Sequence, residues 1–243
     1  MELNEILIVG ALFVVALLYS SVGHGGASGY LAVMALFSVA STVTRPAALI
    51  LNVFVASIAF VQFYLVKSFD WRIFLPFAAA SVPMAYIGGR VQLAEPVYKL
   101  VLGVCLIVAA VRLSIKLASE SDPKPPPVWV ALIIGAALGF VSGLVGVGGG
   151  IFLTPILLLM NWSDTKTAAG ISALFIVVNS VSALAGGARE LSQLSGAVYV
   201  WIIAAVIGGI IGSTLGSRRF DSLTMRRALA AVLVVAGVKL FFV

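Results

Sequence analysis

Charge is what this chain has least of. Only 10% of its 243 residues are Asp, Glu, Lys or Arg, where a soluble domain carries about 25%. Hydrophobic residues make up 62%, and the mean hydropathy is +1.18. A water-soluble globule is therefore excluded, because there is too little polar surface to cover one. The apolar runs are continuous and lack the alternation of membrane barrel strands, which excludes a β-barrel. Cysteine and histidine are almost missing. Cys105 is alone, so no intrachain disulfide can form, and its place in VLGVCLIVAA predicts a buried, inert thiol. His24 is the only histidine and has no Cys or carboxylate neighbour, which argues against a metal centre. There is no helical carboxylate pair, no Walker lysine and no nucleophile elbow, so no enzyme constellation and no cofactor is expected. The net charge of +6 does not mark a nucleic-acid partner, since no basic cluster is interleaved with aromatics. Basic loops of a polytopic membrane protein explain it.

What the chain does have is glycine, in two places where a membrane helix would not want it. The stretch GVGGGIFLTPILLL places Gly146, Gly148, Gly149, Gly150 and Pro155 inside apolar sequence. A helix that breaks in these glycines and resumes near Ile151 aims unpaired N–H groups and its positive dipole end at one spot, with Pro155 expected in its first turn. Such a spot favours anions. A second version, GHGGASGYLAVMAL, carries Gly23, His24, Gly25, Gly26, Ser28 and Gly29 without the proline. Interrupted hydrophobic segments at matching places in two halves point to a transporter binding site.

In chain order, apolar helices are expected over residues 6–21, 30–43, 46–66, 73–87, 97–117, 129–145, 151–160, 167–185, 198–215 and 228–242. Pro46 is placed to open the third of them, and Gly88, Gly89 and Arg90 to close the fourth. Residues 119–127, SESDPKPPP, form a proline-rich linker. It divides the chain into a first transmembrane repeat, 1–118, and a second, 128–243. At an offset of 123, Gly23, Gly25 and Gly26 fall on Gly146, Gly148 and Gly149. At an offset of 127, Gly89, Lys99, Leu102 and Arg112 fall on Gly216, Arg226, Leu229 and Lys239. A duplicated unit is expected.

Charge bears on topology. With four crossings per half, the two sides collect 7 and 8 basic residues, which decides nothing. With five segments per half, one side collects 10 and the other 5, namely Arg45, Arg90, Lys99, Arg189 and Lys239. That count obeys the positive-inside rule with the N-terminus outside, and an odd number of segments inverts the repeats. Residues 151–160 are short for a crossing, so a re-entrant piece stays open. The expected architecture is an all-α polytopic membrane protein of two homologous halves. They form inverted repeats, each with a glycine-rich broken or re-entrant helix and three or more full transmembrane helices.

Within this frame His24 reads either as a substrate contact or proton carrier, or as a neutral ring bonded to a helix end. Ser20, Ser21, Ser28, Ser142 and Thr154 flank the breaks and offer hydroxyls to an oxyanion, although they can equally bond their own backbone. Asn52 and Asn179 place amides within apolar helices, where they bond a neighbour or line a pathway. Arg45 precedes a helix, and the membrane interface explains it as well as function does. The glycine pair Gly88-Gly89 and the run Gly208, Gly209, Gly212 predict close helix packing.

Two halves, each with a G-x-G-G-like break near its start, resemble the TauE/SafE sulfite exporter family across nearly the whole chain. Gly146-Val-Gly148-Gly149-Gly150 followed by Pro155 is the closer match; the first motif departs from it at His24, Ala27 and Ala32. The resemblance implies a secondary carrier of sulfur-containing anions (sulfite, sulfoacetate, thiosulfate or related organosulfonates) in the cell inner membrane, as a multi-pass exporter. The expected partners are that anion, the lipid bilayer and, as an open case, a second copy in a homodimer. The expected site is Gly23, His24, Gly25, Gly26, Ser28, Gly146, Gly148, Gly149, Gly150, Thr154, Asn52 and Asn179, with the halves rocking about it. An anion channel, or a membrane subunit without transport of its own, is the alternative.

Overall fold

The computed structural model describes residues 3–114, 123–194 and 196–218, with positions 234 and 238. All regular structure among them is helical: α1 Leu3–Ser20, α2 Ala27–Leu36, α3 Ser41–Leu65, α4 Trp71–Arg90, α5 Glu95–Ser114, α6 Val128–Val145, α7 Gly150–Leu159, α8 Thr165–Gly186 and α9 Ala197–Arg218, with a 3-10 helix, Ala188–Gln193, between the last two. Apart from positions 234 and 238, the expected helix over 228–242 lies outside the described residues, as do residues 115–122 of the helix end and linker and the repeat positions Arg226, Leu229 and Lys239.

Two helix starts differ from expectation. α3 begins at Ser41, not Pro46, and α2 ends early at Leu36. The Thr44 hydroxyl donates to Ala40 O at 2.9 Å, which satisfies a carbonyl of the turn and lets the helix form upstream of the proline. Pro46 then sits in the second turn. Pro155 likewise is the sixth residue of α7 rather than in its first turn, because the helix already restarts at Gly150. α4 also continues through Gly88 and Gly89 to Arg90. Those glycines do not stop it because their missing side chains let α4 press its backbone against Phe140 of α6 and Ala183 of α8.

Around an apolar core the molecule buries polar side chains and turns large apolar ones outward. Ser20, Ser28, Asn52, Ser142, Thr154, Ser172, Asn179 and Ser180 are buried, while Ile6, Val14, Phe54, Leu75, Val108, Ile133, Ile203 and Ile210 are exposed. That distribution suits a hydrocarbon solvent. Four helices are long and apolar enough to cross a bilayer: Thr42–Leu65, Val128–Val145, Thr165–Gly186 and Ala197–Leu215. The protein is a multi-pass membrane protein.

Glycine seams join its helices. Gly135, Gly139 and Gly143 of α6 lie against the Phe77, Ser81 and Ala85 carbonyls of α4, and Gly208 and Gly212 of α9 lie against the Phe13 and Leu17 carbonyls of α1. Lipid supplies no hydrophobic drive between helices, so this backbone-deep contact is what holds them. The register of each seam rises together, so α4 runs parallel to α6 and α1 parallel to α9. Ser182 donates to Val82 O at 2.6 Å, and Gly186 meets Tyr86, so α8 runs parallel to α4. α3 runs antiparallel to α8, with Asn52 opposite Ser180 and Phe63 opposite Gly170.

These directions place Arg45, Arg90 and Arg189 at one end of the bundle and Lys67, Arg72, Lys124 and Lys166 at the other. The second end carries a ring cluster of Phe60, Tyr64, Phe69, Trp71 and Phe74, the kind of aromatic belt found at a bilayer interface. The Lys124 N–H donates to Asn161 O at 3.0 Å. The chain therefore enters α6 and leaves α7 at the same end, and this pair dips in and returns.

Candidate functional site

The site is built by the two places where a helix stops inside the bundle. Gly26 (φ +99°) precedes α2 and Gly149 (φ +76°) precedes α7, both in the left-handed conformation that glycine adopts without a Cβ clash. From these points α2 runs toward the Arg45 end and α7 toward the Lys67 end. Two helix N-termini thus start back to back in the interior, each with first-turn N–H groups and a positive dipole end.

Asn52 of α3 ties the breaks together. Its Oδ1 accepts from the Ala27 N–H at 3.0 Å, capping α2, and its Nδ2 donates to Val147 O at 3.3 Å in the other break. A longer contact, 3.5 Å, reaches Ser180 Oγ on α8. Gly25 and Gly148 both press on Asn52 and Ile176, so a side chain on either glycine would collide with the same two residues. Gly149, before α7, has no side chain to cap it, and among the described residues no other side chain is seen to play the part Asn52 plays for α2.

His24 makes the second link. Its Nδ1 lies 3.0 Å from Val22 O, and since a carbonyl only accepts, this nitrogen carries the proton. Nε2 lies 3.2 Å from Thr154 Oγ1 on α7, which in turn is 2.7 Å from Ser172 Oγ on α8 and 3.2 Å from Gly150 O. The Thr154 hydroxyl has one proton for three neighbours. With a neutral His24 it donates to Nε2; with a charged His24 it accepts from Nε2 and turns its own proton to Ser172 or Gly150. Protonation of one break is thereby felt in the other.

Two hydroxyls complete the site. Tyr30 OH lies 2.8 Å from where a Gly26 Cβ would stand, and the Ser142 Cβ lies 3.4 Å from where a Gly149 Cβ would stand. Both side chains are fully buried, and neither oxygen has a hydrogen-bond partner among the described residues. Buried hydroxyls are normally bonded. Here one stands unbonded beside each glycine that starts a helix.

The remaining predicted residues sort by contact. Gly23 packs on Ala169 and Phe63, Gly150 on Ile176 and the Ser172 carbonyl, and Gly146 on Arg45. Ser28 Oγ is 2.9 Å from Tyr19 OH. Asn179 folds back on its own helix, where Nδ2 donates to Phe175 O at 2.8 Å, and its buried Oδ1 has no partner among the described residues. Sequence reasoning passed over Tyr30, Ser172 and Ser180. Ser172 and Ser180 share the helix face of Ile176 at four-residue spacing, a polar stripe that was there to be read. No group of three His, Cys, Asp or Glu side chains placed to hold a metal occurs among the described residues.

Comparison with known proteins agrees with this architecture. The family described as sulfite exporter TauE/SafE matches residues 8–240. The probable membrane transporter protein y4hK of Sinorhizobium fredii is 40% identical, over 100% of both chains. The probable membrane transporter protein YunE of Bacillus subtilis is 23% identical over 77% of this chain and 75% of its own, and MJ0441 of Methanocaldococcus jannaschii, a probable membrane transporter protein too, is 28% identical over 49% and 46%. No solved structure matches. With a family match over almost its whole length and a full-length transporter relative, this chain belongs to the TauE/SafE sulfite exporter family of membrane transporters.

Proposed function

We propose that the protein is a secondary carrier that exports small sulfur-containing anions (sulfite, sulfoacetate, thiosulfate or a related organosulfonate) across the cell inner membrane. The anion is held at the bilayer midplane between the breaks at Gly23–Ser28 and Gly146–Thr154. The observation that carries this reading is the pair of unbonded hydroxyls, Tyr30 beside Gly26 and Ser142 beside Gly149. Leaving a buried hydroxyl unpaired costs about 1–3 kcal/mol. An oxyanion is rich in acceptors and satisfies such donors beside the positive dipole end of α7. Binding through dipoles and neutral donors is weak enough to allow release, which a fixed charge would oppose.

Supporting the cycle, α1 runs opposite to α6, α3 to α8 and α4 to α9, as inverted repeats require. The breaks are tightly packed, so the anion enters only when they part, first toward one end and then the other. The basic Lys67 end faces the cytoplasm in this reading. A negative interior then drives the anion outward, with His24 and Thr154 adding a proton-sensitive link between the breaks.

The test is counterflow in proteoliposomes loaded with sulfite, sulfoacetate or thiosulfate, comparing wild type with Ser142→Ala and Tyr30→Phe. Filling the break with Gly149→Leu is a poorer probe, because a side chain there meets the Phe175 ring in a left-handed backbone. Removing an unpartnered hydroxyl leaves folding intact. Saturable exchange is expected, with half-saturation raised about 5- to 50-fold in the variants, the equivalent of ~1–2 kcal/mol. Saturable exchange with unchanged half-saturation would remove the hydroxyls from the site. Flux without counterflow would favour the channel.

A further inference from the structure

Arg45 is the most deeply buried charge among the described residues, at 4% exposure. Its Nη1 donates to Val91 O at 2.9 Å and its Nη2 to Gly89 O, the carbonyls where α4 ends. Its Nε has no hydrogen-bond partner among the described residues and faces Glu190 Oε2 at 3.5 Å, an ion pair too long to be a hydrogen bond of normal strength. Arg45 therefore has its charge balanced and one N–H unsatisfied. A bidentate guanidinium–carboxylate fork would leave neither unmet.

Glu190 of this pair lines a polar cavity of about 420 Å³, between the ends of α4 and α8 and the 3-10 helix, and the Arg45 guanidinium lies behind its wall. That volume falls within the range of small-molecule sites. Its wall carries Arg90, Gln92, Arg189 and Glu190, and Arg90 is stacked on the Tyr86 ring at 5.9 Å. Its floor is Gly89 and Gly187, and both touch the Arg45 guanidinium. On its inner side, the Arg45 Cγ packs against Gly146, where the second break begins. Cavity, guanidinium and helix break thus follow one another inward. Three arginines stand against a single carboxylate, and burial pushes that carboxyl above the usual range while Arg45 opposes the shift.

We propose that this cavity is a vestibule site for the transported oxyanion, in which Glu190 is a tethered carboxylate that occupies Arg45 until the oxyanion takes its place. The identity of the ligand rests on the carrier reading given above; the site itself rests on Arg45, Glu190 and the cavity. Carboxylate and sulfur oxyanion make the same contact with a guanidinium, so one can stand in for the other. Arg90 and Arg189 add attraction at the mouth without being buried. Glu190, in turn, keeps Arg45 from holding the anion too tightly on its way between the break and the bulk.

The experiment is equilibrium binding of radiolabelled sulfite to the purified full-length protein, run beside sulfite counterflow. Glu190→Gln keeps the shape of the side chain and removes its charge, and is expected to tighten binding about 5- to 10-fold. The double variant Arg90→Gln, Arg189→Gln changes only exposed side chains and is expected to weaken binding by a similar factor. A merely structural ion pair would lower the melting temperature in Glu190→Gln without moving binding, and that result would overturn the proposal. So would an absence of sulfite binding in wild type and variants alike. If counterflow is saturable but neither variant moves binding, the vestibule fails and the carrier stands. Opposite shifts in binding without any counterflow would leave the vestibule in place and remove the carrier reading.

Discussion

Asn52 shows what a single buried amide does when it has two employers. It caps α2 through Ala27 and holds Val147 in the other break, so its loss releases both at once. Asn52→Ala is expected to destabilise the fold by about 1–3 kcal/mol, the cost of orphaning buried polar groups, and to abolish exchange. Asn179→Ala, whose amide bonds only its own helix, is expected to cost less than half as much. Denaturant titration of the two purified variants measures the difference, and equal losses would contradict the bridging role. The sequence marked both amides as equivalent, since each is a polar residue in an apolar helix. What separates them is partner geometry across more than ninety residues, which no spacing rule carries. The same holds for His24 and Thr154, which are 130 residues apart and within hydrogen-bond distance. Arg45 was read as a residue before a helix that the membrane interface would explain; its burial was not legible, because its partners sit at the end of α4 and on the 3-10 helix.

The helices themselves were largely readable, because a bilayer demands long apolar runs and this chain has them. Misreadings fell where a local breaker was overruled by contact. Pro46 did not open α3, because Thr44 bonds back to Ala40 in a turn upstream of it, and Gly88 and Gly89 did not close α4, since packing against α6 and α8 outweighs the intrinsic cost of glycine, about 1 kcal/mol. Where capping chemistry acts alone, the local signal is sound. Asp164 accepts from the Lys166 and Thr167 N–H groups at 2.9 and 3.1 Å and starts α8. Burial raises its carboxyl, but these hydrogen bonds more than offset that and hold it below the usual carboxylate range. A depressed folded value means the stabilisation is complete above the unfolded value and disappears as pH falls through the folded one. Asp164→Ala is expected to cost about 1 kcal/mol at neutral pH, with the gap to wild type closing in acid. Melting curves at pH 7 and at strongly acid pH check it, and a gap that persists in acid would assign the loss to packing.

For the whole molecule, the sides of the bundle follow from which loops meet. The five-segment charge count groups Lys67, Arg72, Lys124 and Lys166 together, and the structure places them at one end through short helices that return instead of crossing. Length alone had left those pieces undecided, because ten residues fit either a return or part of a crossing; the Lys124–Asn161 contact sets both ends of the α6–α7 pair on one side, and the start of α7 beside Ser172 and Ile176, within the length of α8, makes α7 a half-length return. In intact cells of a variant lacking Cys105, single cysteines replacing Lys124, Asn161 and Arg189 are expected to sort by side. An impermeant thiol reagent labels Arg189→Cys, while Lys124→Cys and Asn161→Cys react only after permeabilisation. Labelling of Lys124→Cys and Asn161→Cys from opposite sides would contradict the returning α6–α7 pair.

The glycine seams carry a mechanical consequence. Each joins a helix from before the linker to one from after it, α1 to α9 and α4 to α6. Backbones locked carbonyl-deep do not slide, so the rigid pieces of this machine are not the two lengths of chain that the repeat divides. One piece is α1, α2, α3 and α9; the other is α4, α6, α7 and α8. The surface between them runs along α3 and α8, through Asn52 and Ser180, where the two breaks meet, and it is itself close-packed, with Gly170 of α8 against the Ser68 carbonyl just beyond α3. The seams thus cut across the proline-rich linker, and each tight pair takes one helix from either side of it.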